Sequence, residues 1–331
     1  MIGTYLGHLD HHDPLYRYLR DHIVPQLGIG QPDLEFRVFQ SAWSRNVYLY
    51  EEVHTTARLV GKFHPSQGIS GPHTKTGETE FRNLIYLRSL GFDSPPHYVV
   101  KPLGFNPDTG NVLLMEFLEG DLLGTVINQA MHQGRSRRLF RKLSALAHFL
   151  ATMHNRTAGD WGVNFDHSHA YMGRLIVKLD LGHDLSQELN LLRESWRKQG
   201  IMWEDRSVLV HGDATPSNFL LGRGCTVLAI DLERMQWADR VFDLGRLCGE
   251  LAHFFLQGKG DPGAAEPFIG HFLWEYCSHF PDCMSAFAAI TRRIPFYMGI
   301  TLLRIAQNSW IDRDYRRTLV RQARKILTAL P

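Results

Sequence analysis

The stretch Val208-Leu209-Val210-His211-Gly212-Asp213-Ala214-Thr215-Pro216-Ser217-Asn218 decides how the rest of this sequence is interpreted. A short apolar run, typical of a buried strand, leads into a polar loop in which four residues separate Asp213 from Asn218. A second apolar run, Thr226 to Ile230, ends directly at Asp231. A glycine-containing turn precedes this run and predicts a hairpin. We therefore expect two carboxylates and one amide to lie on a single hairpin.

These three side chains suit the transfer of a phosphoryl group to an alcohol. The reaction needs a nucleophile aligned with the phosphorus and cations that offset the charge on the phosphate oxygens. A carboxylate can accept the hydrogen of the attacking hydroxyl, and carboxylate and amide oxygens are hard ligands suited to Mg²⁺. We predict that Asp213 is the catalytic residue and that Asn218 and Asp231 hold Mg²⁺. Alone, Asp213 could simply cap a turn, but its spacing from the other two favours chemistry.

Residues 34 to about 250 resemble the aminoglycoside phosphotransferase and choline kinase superfamily, whose members are distant relatives of protein kinases. The segment Val208 to Asn218 resembles the catalytic loop of that superfamily, with Gly212 where protein kinases have arginine. Ile230 to Glu233 resembles its metal-binding segment, and Asp243 matches an aspartate that usually braces the catalytic loop. The resemblance implies an α+β, protein-kinase-like two-lobed fold. A small antiparallel β-sheet lobe with one helix would precede a larger, mainly helical lobe.

The resemblance also implies nucleotide contacts in the N-terminal half of the chain. Val112 to Gly120 resembles the strand and hinge between the lobes, so the backbone carbonyl of Glu116 and the amide of Leu118 would pair with the adenine edge. A turn that bears Ser44 and Asn46 lies where the family often has a glycine-containing phosphate loop. This turn contains no glycine, although backbone amides and the Ser44 hydroxyl could still meet phosphate.

Lys62, near the end of a predicted strand, is the candidate for the lysine that contacts the α- and β-phosphates. Glu80, at the start of the next predicted helix, would be its ion-pair partner. Isolated charges of this kind are usually surface charges, but their order along the chain favours the pairing. Arg58 and Lys75 compete with Lys62 for this role, and Glu78 competes with Glu80.

Residue periodicity divides the chain into three parts. These are an N-terminal helical extension (1–33), a small β-rich lobe (34–118) and a large helical lobe (119–331). The resemblance implies that the small lobe is a nucleotide-binding lobe and that the large lobe contains the catalytic loop and the acceptor pocket. Strands are predicted at 36–39, 47–50, 57–63, 98–105, 111–117, 208–210, 219–221 and 226–230. Helices are predicted at 14–24, 78–90, 138–154, 171–197, 242–257, 265–280, 285–308 and 313–330.

Composition excludes several other classes of protein. Lysine and arginine (36) nearly balance aspartate and glutamate (34), so no global field attracts nucleic acid. No apolar stretch is long enough for a membrane span, and the N-terminus does not read as a secretory signal. The four cysteines are too few for a disulfide framework, so we expect free thiols and a cytoplasmic location. A monomer or a homodimer is expected.

We therefore predict an ATP- and Mg²⁺-dependent phosphotransferase that moves the γ-phosphate directly to a hydroxyl of a small molecule. The acceptor remains open among an amino alcohol, a sugar, an amino sugar, homoserine and an aminoglycoside-like compound, as does the choice between ATP and GTP. Carboxylates near the expected cleft are candidates for binding a cationic acceptor: Glu116, Glu119, Asp121 and Glu233. The alternative is a catalytically inactive nucleotide-binding or scaffold protein on the same fold, which the glycine-free phosphate loop motivates.

Overall fold

The computed structural model describes residues 3–30, 33–42, 44–64 and 77–330. It divides into two compact units. The first contains Met1–Gly120 together with Leu228–Arg234, and the second contains Asp121–Val227 and Met235–Pro331. The segment that carries the predicted metal ligand Asp231 therefore packs as part of the first unit, although it follows the catalytic loop in sequence.

In the described part of the chain, the first unit contains eight of the strands: β1 (Thr4–His8), β2 (Phe36–Gln40), β3 (Val47–Glu52), β4 (Arg58–Phe63), β5 (Asp93–Ser94), β6 (His97–Val99), β7 (Pro102–Asn106) and β8 (Val112–Glu116). Six of them form an antiparallel sheet with the strand order β1-β2-β3-β4-β8-β7. Its helices are α1 (Pro14–Tyr18), which continues through π and 3₁₀ turns to Leu27, and α2 (Gly77–Ser89).

The predicted hairpin around the glycine-free turn is present. The backbone amide of Ser41 donates to the carbonyl of Val47 over 2.9 Å and closes the β2–β3 connection. Strand β4 lies between β3 and β8, so Lys62 pairs with Val47 on one side and with Leu113 on the other. A central strand is held on both edges by backbone hydrogen bonds. The sheet therefore fixes the backbone of Lys62 firmly.

The N-terminal segment contains a strand in addition to the predicted helix. Strand β1 pairs antiparallel with β2 at the edge of the sheet, and most of its side chains are exposed. An edge strand without a buried face shows no apolar alternation, which is why periodicity did not reveal it. Helix α1 begins as expected, because the Asp13 carboxylate accepts from the amide of Leu15 at 2.8 Å. Leu15, Leu19 and Ile23 then enter the core of the first unit.

The single strand predicted at 98–105 is in fact two strands. Strand β6 pairs with β5, whereas β7 pairs with β8. Between them, the amide of Val100 donates to the carbonyl of Ala229 at 3.1 Å. Pro102 lacks an amide hydrogen and begins β7, a position that suits proline. The apolar run therefore changes sheets where a ladder hydrogen bond cannot form.

The second unit is mainly helical. Its helices are α3 (Leu123–Gln133), α4 (Ser136–Arg156), α5 (Asp166–Leu179), α6 (His183–Arg197), α7 (Val241–Lys259), α8 (Glu266–Cys277), α9 (Cys283–Ala306) and α10 (Arg313–Leu327). Short strands complete it: β9 (Asp121–Leu122), β10 (Val208–Val210), β11 (Phe219–Leu221) and β13 (Gln236–Ala238), while in β12 (Val227–Ala229) the chain returns to the first unit. None of the helices among the described residues is both long and apolar enough to span a membrane.

The helix predicted at 171–197 is divided in two. Asp180 and Gly182 both have positive φ angles, +48° and +82°, between α5 and α6. Left-handed residues end a helix, and glycine adopts this conformation without strain. The other predicted helices of the second unit are present with ends shifted by a few residues, and α9 continues through Pro295 as one helix.

Helices α7 and α9 approach each other closely at Gly245. A Cβ atom added at this position would lie 2.2 Å from the Cβ atom of Tyr297. Since Gly245 and Tyr297 are both buried, neither helix can yield without disturbing the core. By contrast, Gly270 in α8 is exposed, and an added Cβ atom there meets nothing within 4 Å.

These two helical glycines give a matched test of the packing. We expect Gly245→Ala to lower the free energy of unfolding by about 1–3 kcal/mol, because it overpacks the α7–α9 contact. Gly270→Ala should raise it by about 0.5–1 kcal/mol, because alanine has the higher helix propensity. Thermal unfolding of both variants measures the difference. Equal midpoints would contradict the close approach of the two helices.

Candidate active site

In the first unit, the ammonium group of Lys62 lies among three carboxylates. Its Nζ atom is 2.8 Å from Glu80 Oε2, 2.6 Å from Asp231 Oδ1 and 3.0 Å from Glu233 Oε2. Strand β4 supplies the lysine, α2 supplies Glu80, and the segment after β12 supplies the other two. This segment is tied to α2, because the Asn83 side-chain amide donates to the carbonyl of Leu232 at 2.8 Å.

The cluster carries more negative than positive charge. Burial alone would lower the pKa of Lys62, but the carboxylates of Glu80, Asp231 and Glu233 together raise it, so the lysine is firmly protonated. Glu80 is fully buried, and burial raises the pKa of its carboxyl group against the opposing effect of Lys62. One ammonium group facing three carboxyl groups leaves the cluster short of positive charge.

Two observations favour a divalent cation at this cluster. Buried Glu80 Oε1 has no hydrogen-bond partner among the described residues, and a buried polar atom normally has one. In addition, His64, Glu80 and Glu233 offer ligand atoms that all lie within 4.8 Å of one another. Asp231, with a side chain one-third exposed, adopts a positive φ of +63°. Such strain in a non-glycine residue commonly accompanies a functional site.

The rival candidates from the sequence have other partners. Arg58 forms an ion pair with Glu119 and lies over the ring of Phe117, with its guanidinium carbon 4.3 Å from the ring centroid. Glu78 pairs with Arg82 at 2.6 Å on the exposed face of α2. Lys75 lies outside the described residues. Among the described candidates, the structure therefore brings together Lys62 and Glu80.

The predicted hinge and phosphate loop are positioned by the sheet. Glu116 ends β8, and its carboxylate accepts from the Tyr98 hydroxyl at 2.7 Å and from the amide of Lys101 at 2.6 Å. Leu118 follows in an irregular, half-buried segment. In the glycine-free turn, the Ser44 hydroxyl accepts from the amide of Asn46 at 3.4 Å.

In the second unit, the buried carboxylate of Asp243 holds the start of the catalytic loop. It accepts from the backbone amides of His211 at 2.6 Å and Gly212 at 3.0 Å, and His154 Nε2 lies 3.3 Å away. Gly212 has a φ of +79°, which glycine adopts readily. Asp243 therefore fixes the backbone immediately before Asp213.

Asn218 closes the same loop. Its side-chain nitrogen donates to the carbonyl of Asp213 at 2.9 Å, and its backbone amide donates to Thr215 at 3.0 Å. With the nitrogen bound to the loop, the amide oxygen is left to accept, and it receives a long 3.3 Å hydrogen bond from Ser217. An amide oriented in this way suits the metal-ligand role predicted for Asn218.

A model of the phosphotransferase enzyme family (APH) matches residues 35–277 of the chain. The chain belongs to this family. The match extends from strand β2 through the Lys62 cluster and the catalytic loop to the end of α8. No curated protein sequence matches the chain significantly.

Solved structures similar to this phosphotransferase include kinases of small molecules. An ethanolamine kinase from Plasmodium vivax is 13% identical, with a TM-score of 0.62, and the match covers 97% of this chain and 92% of that one. Choline kinase LicA from Streptococcus pneumoniae is 17% identical, with a TM-score of 0.57 and coverage of 95% and 99%. The ADP-bound aminoglycoside phosphotransferase APH(2'')-Ib is 13% identical, with a TM-score of 0.56 and coverage of 94% and 97%.

At these identities the structural likeness shows the fold, and the family match shows the class of enzyme. Together they confirm the predicted superfamily and the α+β, protein-kinase-like fold with an antiparallel sheet and a mainly helical part. They also confirm that the protein is a small-molecule kinase.

Sequence reasoning missed several residues that contact the candidate site residues of each unit. Glu233 was considered for binding an acceptor and as the end of the segment that resembles the metal-binding segment, but not as a partner of Lys62, which it contacts. Two arginines contact Asp213 Oδ1, at 3.3 Å from Arg246 Nη1 and 3.8 Å from Arg304 Nη2. Arg246 lies three residues after Asp243 on α7, a spacing that places both on one helix face. This spacing was the one local signal, since Arg304 reaches Asp213 only through the packing of α9.

The Lys62 cluster predicts a large effect of removing the ammonium group. We expect Lys62→Met to lower the free energy of unfolding by about 3 kcal/mol, because it leaves buried Glu80 without its cationic partner. Arg82→Met is the control, since its pair with Glu78 is exposed and should contribute less than about 1 kcal/mol. Denaturant unfolding measures both values. Similar losses in the two variants would contradict the central role of Lys62.

Proposed function

We propose that this enzyme transfers the γ-phosphate of ATP to a hydroxyl group of a small molecule in the presence of Mg²⁺. The observation that carries the proposal is the contact of Lys62 with both Glu80 and Asp231. The contact supports the proposal because it joins an ammonium group, which suits phosphate, to a carboxylate, which suits a metal ion, although Lys62 and Asp231 are 169 residues apart in the chain.

In this proposal, the first unit binds the nucleotide phosphates. Lys62 contacts the α- and β-phosphates, and Glu80 positions the ammonium group from α2. The backbone of Glu116 and Leu118 pairs with the adenine edge, while Ser44 and its turn meet the phosphates together with Asn46. Solved neighbours bound to ADP, GDP and AMP-PNP support nucleotide binding in general. Comparing ATP with GTP will determine which base is preferred.

Asp231 and Asn218 are proposed as the ligands of the metal ion. When bound, Mg²⁺ neutralises charge on the phosphate oxygens and so makes the phosphorus more open to attack. The surplus of carboxylates around Lys62 supports the choice of Asp231, and the orientation of the Asn218 amide supports the second ligand.

Asp213 is proposed to orient the acceptor hydroxyl and to accept its proton. The acceptor oxygen then forms a bond to the γ-phosphorus while the bond from phosphorus to the nucleoside diphosphate breaks. Asp243 keeps the backbone before Asp213 in place, so little reorganisation is needed when the acceptor binds. The presence of Asp213, Asn218, Asp231 and Lys62 in one chain of this family does not favour the inactive alternative.

The role of Asp213 predicts a loss of turnover without a loss of nucleotide binding. We expect Asp213→Asn to lower kcat by about 10²–10⁴-fold, because an amide cannot accept the hydroxyl proton. The dissociation constant for ATP should change less than about threefold, well under the 1.4 kcal/mol of a tenfold change. Product formation is followed by mass spectrometry and ATP binding by calorimetry. Retained turnover would remove Asp213 from the chemistry.

The role of Asp231 predicts a loss of metal-dependent binding. We expect Asp231→Ala to weaken ATP binding by at least about tenfold, or about 1.4 kcal/mol, when Mg²⁺ is present. The unaltered protein should show a similar loss when EDTA removes the metal, and EDTA should have little further effect on the variant. Calorimetric titration tests this pattern. Mg²⁺-dependent binding that survives in Asp231→Ala would exclude Asp231 as a ligand.

A further inference from the structure

The carboxylate of Asp213 lies beside two positively charged side chains of the second unit. Arg246 on α7 approaches Asp213 Oδ1 to 3.3 Å, and Arg304 on α9 approaches the same oxygen to 3.8 Å. Arg304 also donates to Glu250 at 2.9 Å. We call Asp213, Arg246, Glu250 and Arg304 the arginine cluster. The acceptor hydroxyl is proposed to bind Asp213, so the other three residues of the arginine cluster lie close to the acceptor.

Burial makes this pair of like charges unusual. Arg246 is nearly fully buried, and both burial and the neighbouring Arg304 lower its pKa. The Nε atoms of Arg246 and Arg304 are buried and have no hydrogen-bond partner among the described residues. Two guanidinium groups so close together are stable only if enough negative charge surrounds them. The cluster therefore has hydrogen-bond donors that its own carboxylates leave unused.

The carboxyl groups of the arginine cluster only partly neutralise its two guanidinium groups. Burial raises the pKa of Glu250, which disfavours its ionised form. Asp213 becomes neutral at the moment when it accepts a proton from the acceptor. At that step two guanidinium groups face one buried carboxyl group. An additional anion nearby would restore the balance of charge.

A small molecule can reach the positive charge of the arginine cluster. The side chain of Arg304 is 21% exposed and that of Asp213 is 15% exposed, whereas that of Arg246 is 4% exposed. Arg246 therefore contacts Asp213 from the buried side, and Arg304 is the arginine that a ligand can contact. An acceptor whose hydroxyl binds Asp213 has its neighbouring groups within a few ångströms of Arg304.

The carboxylates considered for a cationic acceptor are already engaged. Each of the four forms a hydrogen bond or ion pair with another side chain of its own unit: Glu116 with Tyr98, Glu119 with Arg58, Asp121 with Arg138, and Glu233 with Lys62. An ammonium group beside Asp213 would instead meet two guanidinium groups, and like charges this close repel each other. The surroundings of Asp213 are unfavourable for an amino alcohol or an aminoglycoside.

We propose that the acceptor is an anionic hydroxyl compound whose carboxylate or phosphate group binds Arg304 while its hydroxyl group binds Asp213. Guanidinium groups bind both oxyanions through paired, charge-assisted hydrogen bonds. The inference rests on the proposed phosphotransfer. The acceptor oxygen bonds to the γ-phosphorus, the nucleoside diphosphate leaves, and the hydroxyl proton passes to Asp213. Arg246 is a positioning residue that holds the Asp213 carboxylate.

Matched pools of acceptors test the charge of the substrate. The enzyme is incubated with Mg²⁺ and ATP and with one of four pools: hydroxy acids, sugar phosphates, uncharged sugars and polyols, or amino alcohols and aminoglycosides. Phosphorylated products are identified by mass spectrometry, and binding to Asp213→Asn is measured by thermal shift. We expect product or binding in one of the first two pools, and which of them responds distinguishes carboxylate from phosphate.

Other outcomes overturn the inference. Products confined to amines or to uncharged alcohols would show that phosphotransfer occurs but that the acceptor is not an anion. The anionic acceptor would also be rejected if neither anionic pool gave product or binding while Mg²⁺-dependent ATP binding was intact. Loss of Mg²⁺-dependent ATP binding itself would instead count against the proposed function.

Arg304 variants test the contact directly on the acceptor that the pools identify. We expect Arg304→Met to raise KM for the anionic acceptor about 10- to 100-fold with a smaller change in kcat, and Arg304→Lys to recover part of the loss. Arg324→Met is the control, because Arg324 forms an exposed ion pair with Glu188 at 2.6 Å. Thermal unfolding checks that each variant folds. An unchanged KM in folded Arg304→Met would overturn the proposal.

Discussion

The ammonium group of Lys62 holds together three parts of the first unit that are far apart in sequence. Strand β4, helix α2 and the segment after β12 meet there through Glu80, Asp231 and Glu233. Three carboxyl groups of which one is fully buried would repel one another without this cation. The surplus of negative charge that remains is also what suits the cluster to a metal ion. Stability and proposed chemistry thus depend on the same imbalance of charge.

The second unit positions its chemical groups by another means. The Asp243 carboxylate binds two backbone amides rather than a charged side chain. Backbone amides cannot change rotamer, so the loop before Asp213 is held more rigidly than an ion pair would hold it. Asn218 adds a second constraint from the far end of the loop. Asp213 therefore has a fixed backbone and a partly exposed carboxylate, which is the arrangement that a proton acceptor needs.

Local sequence patterns predicted most of the strands and helices and the residues of the catalytic loop. Lys62 and Glu80 were predicted to pair because their order, on a strand and then on a helix, resembles that of the family, and the two side chains are in contact. Strand β1 was missed because its side chains are mostly exposed. The break at Gly182 was not located because Leu179, Leu181 and Leu185 continue the apolar pattern across it. The contact of Arg304 with Asp213 arises from packing between elements that are far apart in the sequence. Residue spacing within one element cannot predict such a contact.

The two arginines beside Asp213 are compatible with its proposed role as proton acceptor. Asp213 must be ionised before it can accept a hydrogen, and guanidinium neighbours stabilise negative charge. Phosphoryl transfer proceeds through a loose transition state in which the attacking oxygen carries little bond to phosphorus, so a strongly basic carboxylate is not required. Orientation matters more, and a carboxylate held by Arg246 is well oriented. What the arginines do change is the charge of the molecule that can lie next to Asp213. In this proposal, a loop that resembles that of the family serves an acceptor of opposite charge to choline or ethanolamine.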